Sequence, residues 1–159
     1  MNHGELVTQV TAYLQRTYDL AHVVVVSNSD GGRGYGKDVF GSMVMGCKQH
    51  EHVLDRYHVN RKLKERLYFT APVLQDEIRQ ALRAYRWEPL QVLLDTAEAQ
   101  AETPEEIGHV QKLRQYVARN WISLAPLKVR KIPVSASGMG ACESNHRIYS
   151  YRMKKQGRV

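Results

Sequence analysis

The sequence predicts an α/β fold in which a small core is interrupted by an all-helical block. Three observations lead there. The stretch HVVVVSNSD holds four consecutive valines and runs into an aspartate and a glycine-rich turn. Residues 57–123 carry apolar side chains at helical spacing almost throughout. After a flexible SASGMGA connection the chain returns to a helical pattern rich in Lys and Arg. The division that follows is a partial core over 1–56, a helical insertion over 57–123, and a linker with a C-terminal basic helix over 124–159.

Residues 4–18 read as an amphipathic helix with Leu6, Val10, Tyr13 and Leu14 on one stripe, closed by Asp19 and Leu20. The valine run predicts a strand over 22–27, β-branched and unrelieved by polar residues, which suits burial on both faces. It ends at Asp30 and the turn GGRGYG. A short helix is expected over 37–46, weakened by Gly41 and Gly46. His52–Leu54 is a candidate second strand ending at Asp55. A helix over 57–69 places Val59, Leu63 and Leu67 four apart. Pro72 opens another, with Val73, Leu74, Ile78 and Leu82 as its apolar positions. Pro89 lies in the first turn of a third, which buries Leu90, Leu93 and Leu94. Thr103-Pro104-Glu105-Glu106 is an N-terminal signature for a long helix: a Thr cap, Pro at the first position, acids in the first turn. The last helix runs from Glu143 or Ser144 to about Gln156, with Gly157 as its stop.

At 159 residues and 43% apolar content the chain is about one domain long and able to build a core. Its net charge of +7 is uneven. From residue 128 onward Lys128, Arg130, Lys131, Arg147, Arg152, Lys154, Lys155 and Arg158 face only Glu143. Such a block meets phosphate through sequence-independent, salt-sensitive contacts, or serves as a solubilising tail. Cys47 and Cys142 are far apart and outside metal-ligand spacing, which argues for reduced thiols. No stretch approaches the roughly 20 apolar residues of a membrane span. The start lacks the layout of a signal peptide, so a cytoplasmic protein is expected.

Asp30 stands just past the carboxyl end of the valine strand, the edge where ligands collect in open α/β sheets. Gly31 and Gly32 leave room there for a metal and a phosphate to approach the backbone. Asp55 ends the second strand in the same way, so parallel neighbouring strands would bring both carboxylates to one edge. Glu143 could supply a third from a helix reached through the flexible connection. Oxygen-rich sites of this kind suit Mg²⁺ or Mn²⁺, two of which activate a water or 3′-hydroxyl and stabilise a leaving oxygen. Each residue also has an ordinary reading: strand-end aspartates form turns and caps, Glu143 complements a helix dipole, and His58 is a half-buried histidine. A competing motif overlaps the turn. Gly31–Lys37 fits the first seven positions of a phosphate-binding P-loop, but the eighth, which needs Ser or Thr, is Asp38.

Three blocks of wording go further than spacing. VVVVSNSDGGRGY, VLDRYHVNRKL and GACESNHRIYSYRMKKQGR resemble successive signatures of the ISLre-type insertion-sequence transposases, a bacterial family related to the Mutator-like group. The counterparts there read approximately Asp-Gly-Gly after a strand, Leu-Asp-Arg-Phe-His before a helix, and Glu-Ser-Asn with Met-Lys-Lys-Gly on a late helix; Tyr57 replaces the usual Phe. The resemblance covers nearly the whole chain. It implies a ribonuclease-H-like core with an Asp, Asp, Glu metal site and a helical insertion before the Glu. On that mapping Asp30 is the second catalytic aspartate and Glu143 the glutamate, both metal ligands. Asp55 and His58 fall in the following block, in catalysis or in positioning the site or DNA, with Gly31, Gly32, Arg56, Ser144 and Asn145 in support. The resemblance implies double-stranded DNA as partner, at transposon ends and target, contacted by Lys128, Arg130, Lys131, Arg147, Arg152, Lys154 and Lys155. It leaves room for a homo-oligomer on DNA and implies a nucleoid-associated location in bacteria.

The first aspartate of such a site belongs on a strand upstream of the valine strand, where this chain has only a helix. The expectation is therefore a truncated transposase, without the N-terminal DNA-recognition region and inactive alone. The alternatives are a non-catalytic DNA-binding remnant and a P-loop-like nucleotide binder using Lys37.

Overall fold

The computed structural model describes residues 3–32, 34–130 and 132. Its architecture is mixed α/β and mostly helical, with a two-stranded parallel sheet among the described residues. The order is α1 (His3–Thr17), a 3₁₀ turn (Leu20–His22), β1 (Val24–Ser29), α2 (Lys37–Met43), β2 (Gln49–Leu54), α3 (Arg56–Arg66), α4 (Pro72–Arg83), α5 (Trp87–Ala99) and α6 (Pro104–Leu124). By compactness the chain divides into Met1–Pro126 and Leu127–Val159. In the second unit the Leu127 carbonyl accepts from the amides of Arg130 (3.1 Å) and Ile132 (3.4 Å), a local turn.

Strands β1 and β2 run parallel, in a register from Val24 opposite Gln49 to Ser29 opposite Leu54. Residues 30–48 make the crossover, long enough for a parallel connection and carrying α2. Both strands depart from the sequence-based boundaries. β1 begins at Val24 because Leu20–His22 forms a turn, in which the Val23 amide reaches the Leu20 carbonyl at 3.1 Å. Every residue of β1 is half-buried rather than sealed on both faces. β2 starts at Gln49, three residues ahead of the candidate strand, because its polar histidines find hydroxyl partners across the sheet. On α1, Leu6, Val10 and Leu14 are half-buried, whereas Tyr13 is exposed. Helix α2 stops at Met43, ahead of Gly46, which takes φ +89° in the following turn.

From α3 to α6 the expected apolar positions form one core. Leu63, Leu67, Ile78, Leu90, Leu94, Val110, Leu113 and Val117 are fully buried, and Leu54 joins them from the end of β2. Val73, read as apolar-facing, lies outside it at 69% exposure, since Leu74, Ile78, Ala81 and Leu82 already define the inner stripe of α4. The capping box of α6 forms as read: the Thr103 hydroxyl accepts from the Glu106 amide and the Glu106 carboxylate accepts from the Thr103 amide. Helices α5 and α6 are also tied by Arg114, which donates to Gln91, Asp95 and Glu98.

Candidate functional site

The parallel pairing ends at the two candidate aspartates. The Asp55 amide donates to the Ser29 carbonyl at 2.8 Å, one step beyond the last paired residues. Asp30 and Asp55 therefore leave the sheet from adjacent positions at one edge, on strands about 4.8 Å apart. Each uses one oxygen locally. Asp30 Oδ1 accepts from the Gly32 amide at 2.8 Å, and Asp55 Oδ1 accepts from the Tyr57 amide at 2.8 Å, capping α3. The ordinary turn and cap readings are thus true of both residues, and both keep a second oxygen. Asp55 Oδ2 lies 3.9 Å from His58 Nε2, one turn along α3, an ion pair when the ring is protonated.

The glycines after Asp30 are there for space. Gly31 has φ +74°, and a Cβ on it would meet Leu54 Cδ2 at 3.1 Å and the Tyr116 ring at 3.3 Å. A Cβ on Gly32 would meet Asp30 Oδ1 at 2.9 Å. Tyr116 is a site residue that periodicity alone assigns to the core. Its hydroxyl makes a long hydrogen bond, 3.4 Å, to the Asp30 carbonyl, and Lys62 Nζ sits 4.8 Å from its ring centroid. Burial pushes the Tyr116 phenol up to about 12, the Asp30 charge adds to the rise, Arg119 opposes it, and Asp55 adds a little more. Both aspartates are therefore felt at one phenol, which stays protonated and donates.

A second polar feature runs beneath α2 toward the same edge. Ser27 Oγ is 2.8 Å from His50 Nε2 and 2.8 Å from His52 Nδ1; His52 Nε2 is 3.1 Å from Ser29 Oγ, which accepts from the Gly31 amide at 3.2 Å. His52 is 4% exposed and stacks under Phe40 with ring centroids 5.5 Å apart. The His50 ring is held below its usual range by burial and by Lys37, with Glu51 opposing. Sequence reasoning missed this chain of four side chains, although the alternation Ser27, Ser29 and His50, His52 was there to be read.

Among the described residues, no group of three or more His, Cys, Asp and Glu side chains is placed to hold a metal ion. One or two carboxylates, with water and substrate phosphate, are the usual ligands of Mg²⁺, and Asp30 and Asp55 each keep one oxygen free of backbone donors, that of Asp55 facing His58. Arg56 opens α3 beside Asp55 and is exposed, Lys128 is exposed, and Arg130 is half-buried. Glu143, Ser144, Asn145, Lys131, Arg147, Arg152, Lys154 and Lys155 lie outside the described residues, as do Cys142 and the predicted helix over 143–156. Cys47 is a free, half-buried thiol. The turn that the P-loop reading would use can be described in part. The Gly32 amide, which a phosphate cradle would use, already points at Asp30, and Asp38 occupies the first turn of α2. Among the described residues no helix is long and apolar enough to cross a membrane.

A family model described as uncharacterised protein family UPF0236 matches residues 2–159. The chain belongs to this family. Its similarity extends to a curated relative, the UPF0236 protein in vanSb 3'region of Streptococcus gallolyticus, at 38% identity over 154 residues and 97% of the chain. The UPF0236 chain spans about a third of that relative's length, 34%. No solved structure matches. The matched span includes Asp30, Asp55, Tyr116 and Lys62, and also the Glu143 segment.

Proposed function

We propose that this UPF0236 chain carries part of the catalytic core of a DDE-type DNA transposase, acting in Mg²⁺-dependent cleavage and transfer of DNA strands at insertion-sequence ends. The observation that carries the reading is the emergence of Asp30 and Asp55 side by side at the carboxyl edge of two parallel strands, each with an oxygen not used by a backbone amide. The resemblance of the three sequence blocks to ISLre-type transposases supports the same assignment. The larger fold it implies is ribonuclease-H-like, with β1 and β2 as two of its strands and α3–α6 as the helical insertion before the glutamate.

In this reading the metal ligands are those the resemblance implies, Asp30 and Glu143, and Asp55 stands beside Asp30. Bound Mg²⁺ would supply Lewis-acid stabilisation of charge on the phosphodiester oxygens. The chain's own residues do the rest. Gly31 and Gly32 keep the approach to Asp30 clear of side chains, Asp55 fixes the start of α3, and Tyr116 holds the Asp30 backbone from the helical side. The basic residues from Lys128 onward track DNA phosphates.

The test is Mn²⁺ titration of the full chain by calorimetry, alongside nicking of supercoiled plasmid. Binding that is lost in both Asp30→Asn and Glu143→Gln supports the reading. Binding indifferent to both substitutions, or absent from the unaltered chain, overturns it. The net charge of +7 favours a second reading, a DNA-binding module without chemistry. Its signature is duplex binding that falls steeply with salt and no nicking in Mn²⁺.

A further inference from the structure

On α3, Asp55, His58 and Lys62 recur at spacings of three and four, which places them along one face, and all three are half-buried. The outer face behaves differently: Arg61 pairs with Glu65 at 3.3 Å, and Lys64 is exposed. Lys62 instead lies over the face of Tyr116, 4.8 Å from the ring centroid, and makes no ion pair with a carboxylate among the described residues. The same ring reaches the Asp30 carbonyl through its hydroxyl and touches the space above Gly31. A lysine whose task was to neutralise Asp30 or Asp55 would pair with one of them. Here each aspartate has an oxygen committed to a backbone amide, and the ammonium is held by an aromatic face that fixes its position and leaves its hydrogen-bond donors unused. A cation with spare donors, on the helix face that carries Asp55 and seated on the ring that bonds the Asp30 backbone, is suited to the non-bridging oxygens of a phosphodiester.

We propose that Lys62, seated on Tyr116, is the phosphate-holding cation of the Asp30–Asp55 edge and grips the DNA backbone there. The assignment rests on reading that edge as a metal–phosphodiester site. Tyr116 is a positioning residue: its ring carries Lys62 and its hydroxyl reaches the Asp30 backbone, so one side chain links the cation to the turn that bears Asp30.

The experiment is lysine acylation footprinting of the full chain by mass spectrometry, with and without a short duplex DNA, in Ca²⁺. Acylation of Lys62 should fall several-fold on adding duplex, while Lys64, on the outer side of the same helix, changes less. In parallel, Lys62→Met should lower the slope of log affinity against log salt by about 0.9, one phosphate contact, and Lys62→Arg should restore it. Tyr116→Leu, which removes the seat, should match Lys62→Met. Duplex binding with Lys62 no better protected than Lys64, or a slope unchanged in Lys62→Met, overturns this assignment and leaves the reading of the edge standing. Absence of salt-sensitive duplex binding by the unaltered chain overturns both.

Discussion

The amide of Asp55 donates to the carbonyl of Ser29 at 2.8 Å, continuing the parallel ladder one residue past the strands. That single bond decides that Asp30 and Asp55 emerge side by side and that α3 starts beside the turn after β1. The site is therefore a property of the strand ends, and its parts can be separated by substitution.

Asp55 both caps α3 and offers a charge. Asparagine is an equally good cap, so Asp55→Asn should unfold within about 0.5 kcal/mol of the parent, whereas Asp55→Ala should lose about 1 kcal/mol. Urea denaturation measures this. Weakened Mn²⁺ binding in Asp55→Asn at unchanged stability would mark Asp55 as part of the metal site and more than a cap.

The two positive-φ glycines of the turn should respond differently. Gly31→Ala forces a left-handed alanine into contact with Leu54 and Tyr116, costing about 2–4 kcal/mol from strain and overpacking together. At Gly34, φ +109° with nothing within 4 Å of the added carbon, only the strain remains, about 1–2 kcal/mol. Equal losses at the two sites would count against the packing described around Asp30.

Tyr116 sets an alkaline limit. Its phenol is raised in the folded chain to about 12, from an ordinary 10.0, so the folded state binds the proton more tightly. Its contribution is complete below pH 10 and is lost as pH climbs toward 12. Stability measured across that window should fall less steeply in Tyr116→Phe. The same substitution should cost about 0.5–1 kcal/mol at neutral pH for the long bond to Asp30.

His50 sets an acid limit of opposite sign. Its folded pKa is lowered, so the neutral ring is favoured, and its contribution is present above 6.5 and lost as pH falls below it. His50→Gln should flatten the acid limb of the stability profile. Ser27→Ala leaves two ring nitrogens short of a partner and should cost about 1–3 kcal/mol.

Much of this was legible in the chain. Both aspartates were identifiable because each closes a run with strand character, and the α6 cap because Thr103-Pro104-Glu105-Glu106 satisfies backbone donors locally. Local rules reached no further. Tyr116 reads as one more apolar position of a long helix, and only the packing of α6 against β2 brings it to Asp30, 86 residues earlier. β2 was read short because His50 and Glu51 are weak strand formers; what extends the strand is pairing with Ser27 and Ser29, a contact no single segment displays.

That pairing also determines which alignment of the two strands survives. Side chains alternate between faces, so sliding β2 by one residue would turn both histidine rings away from the serines, take His52 off Phe40, and bring Glu51 or Val53 against the serines. Such a slip would strand polar groups under α2 and break four side-chain contacts at once. The serine–histidine row thus works as a key with one fitting position, and because Asp30 and Asp55 hang from the ends of the keyed strands, it also dictates which carboxylate stands opposite which.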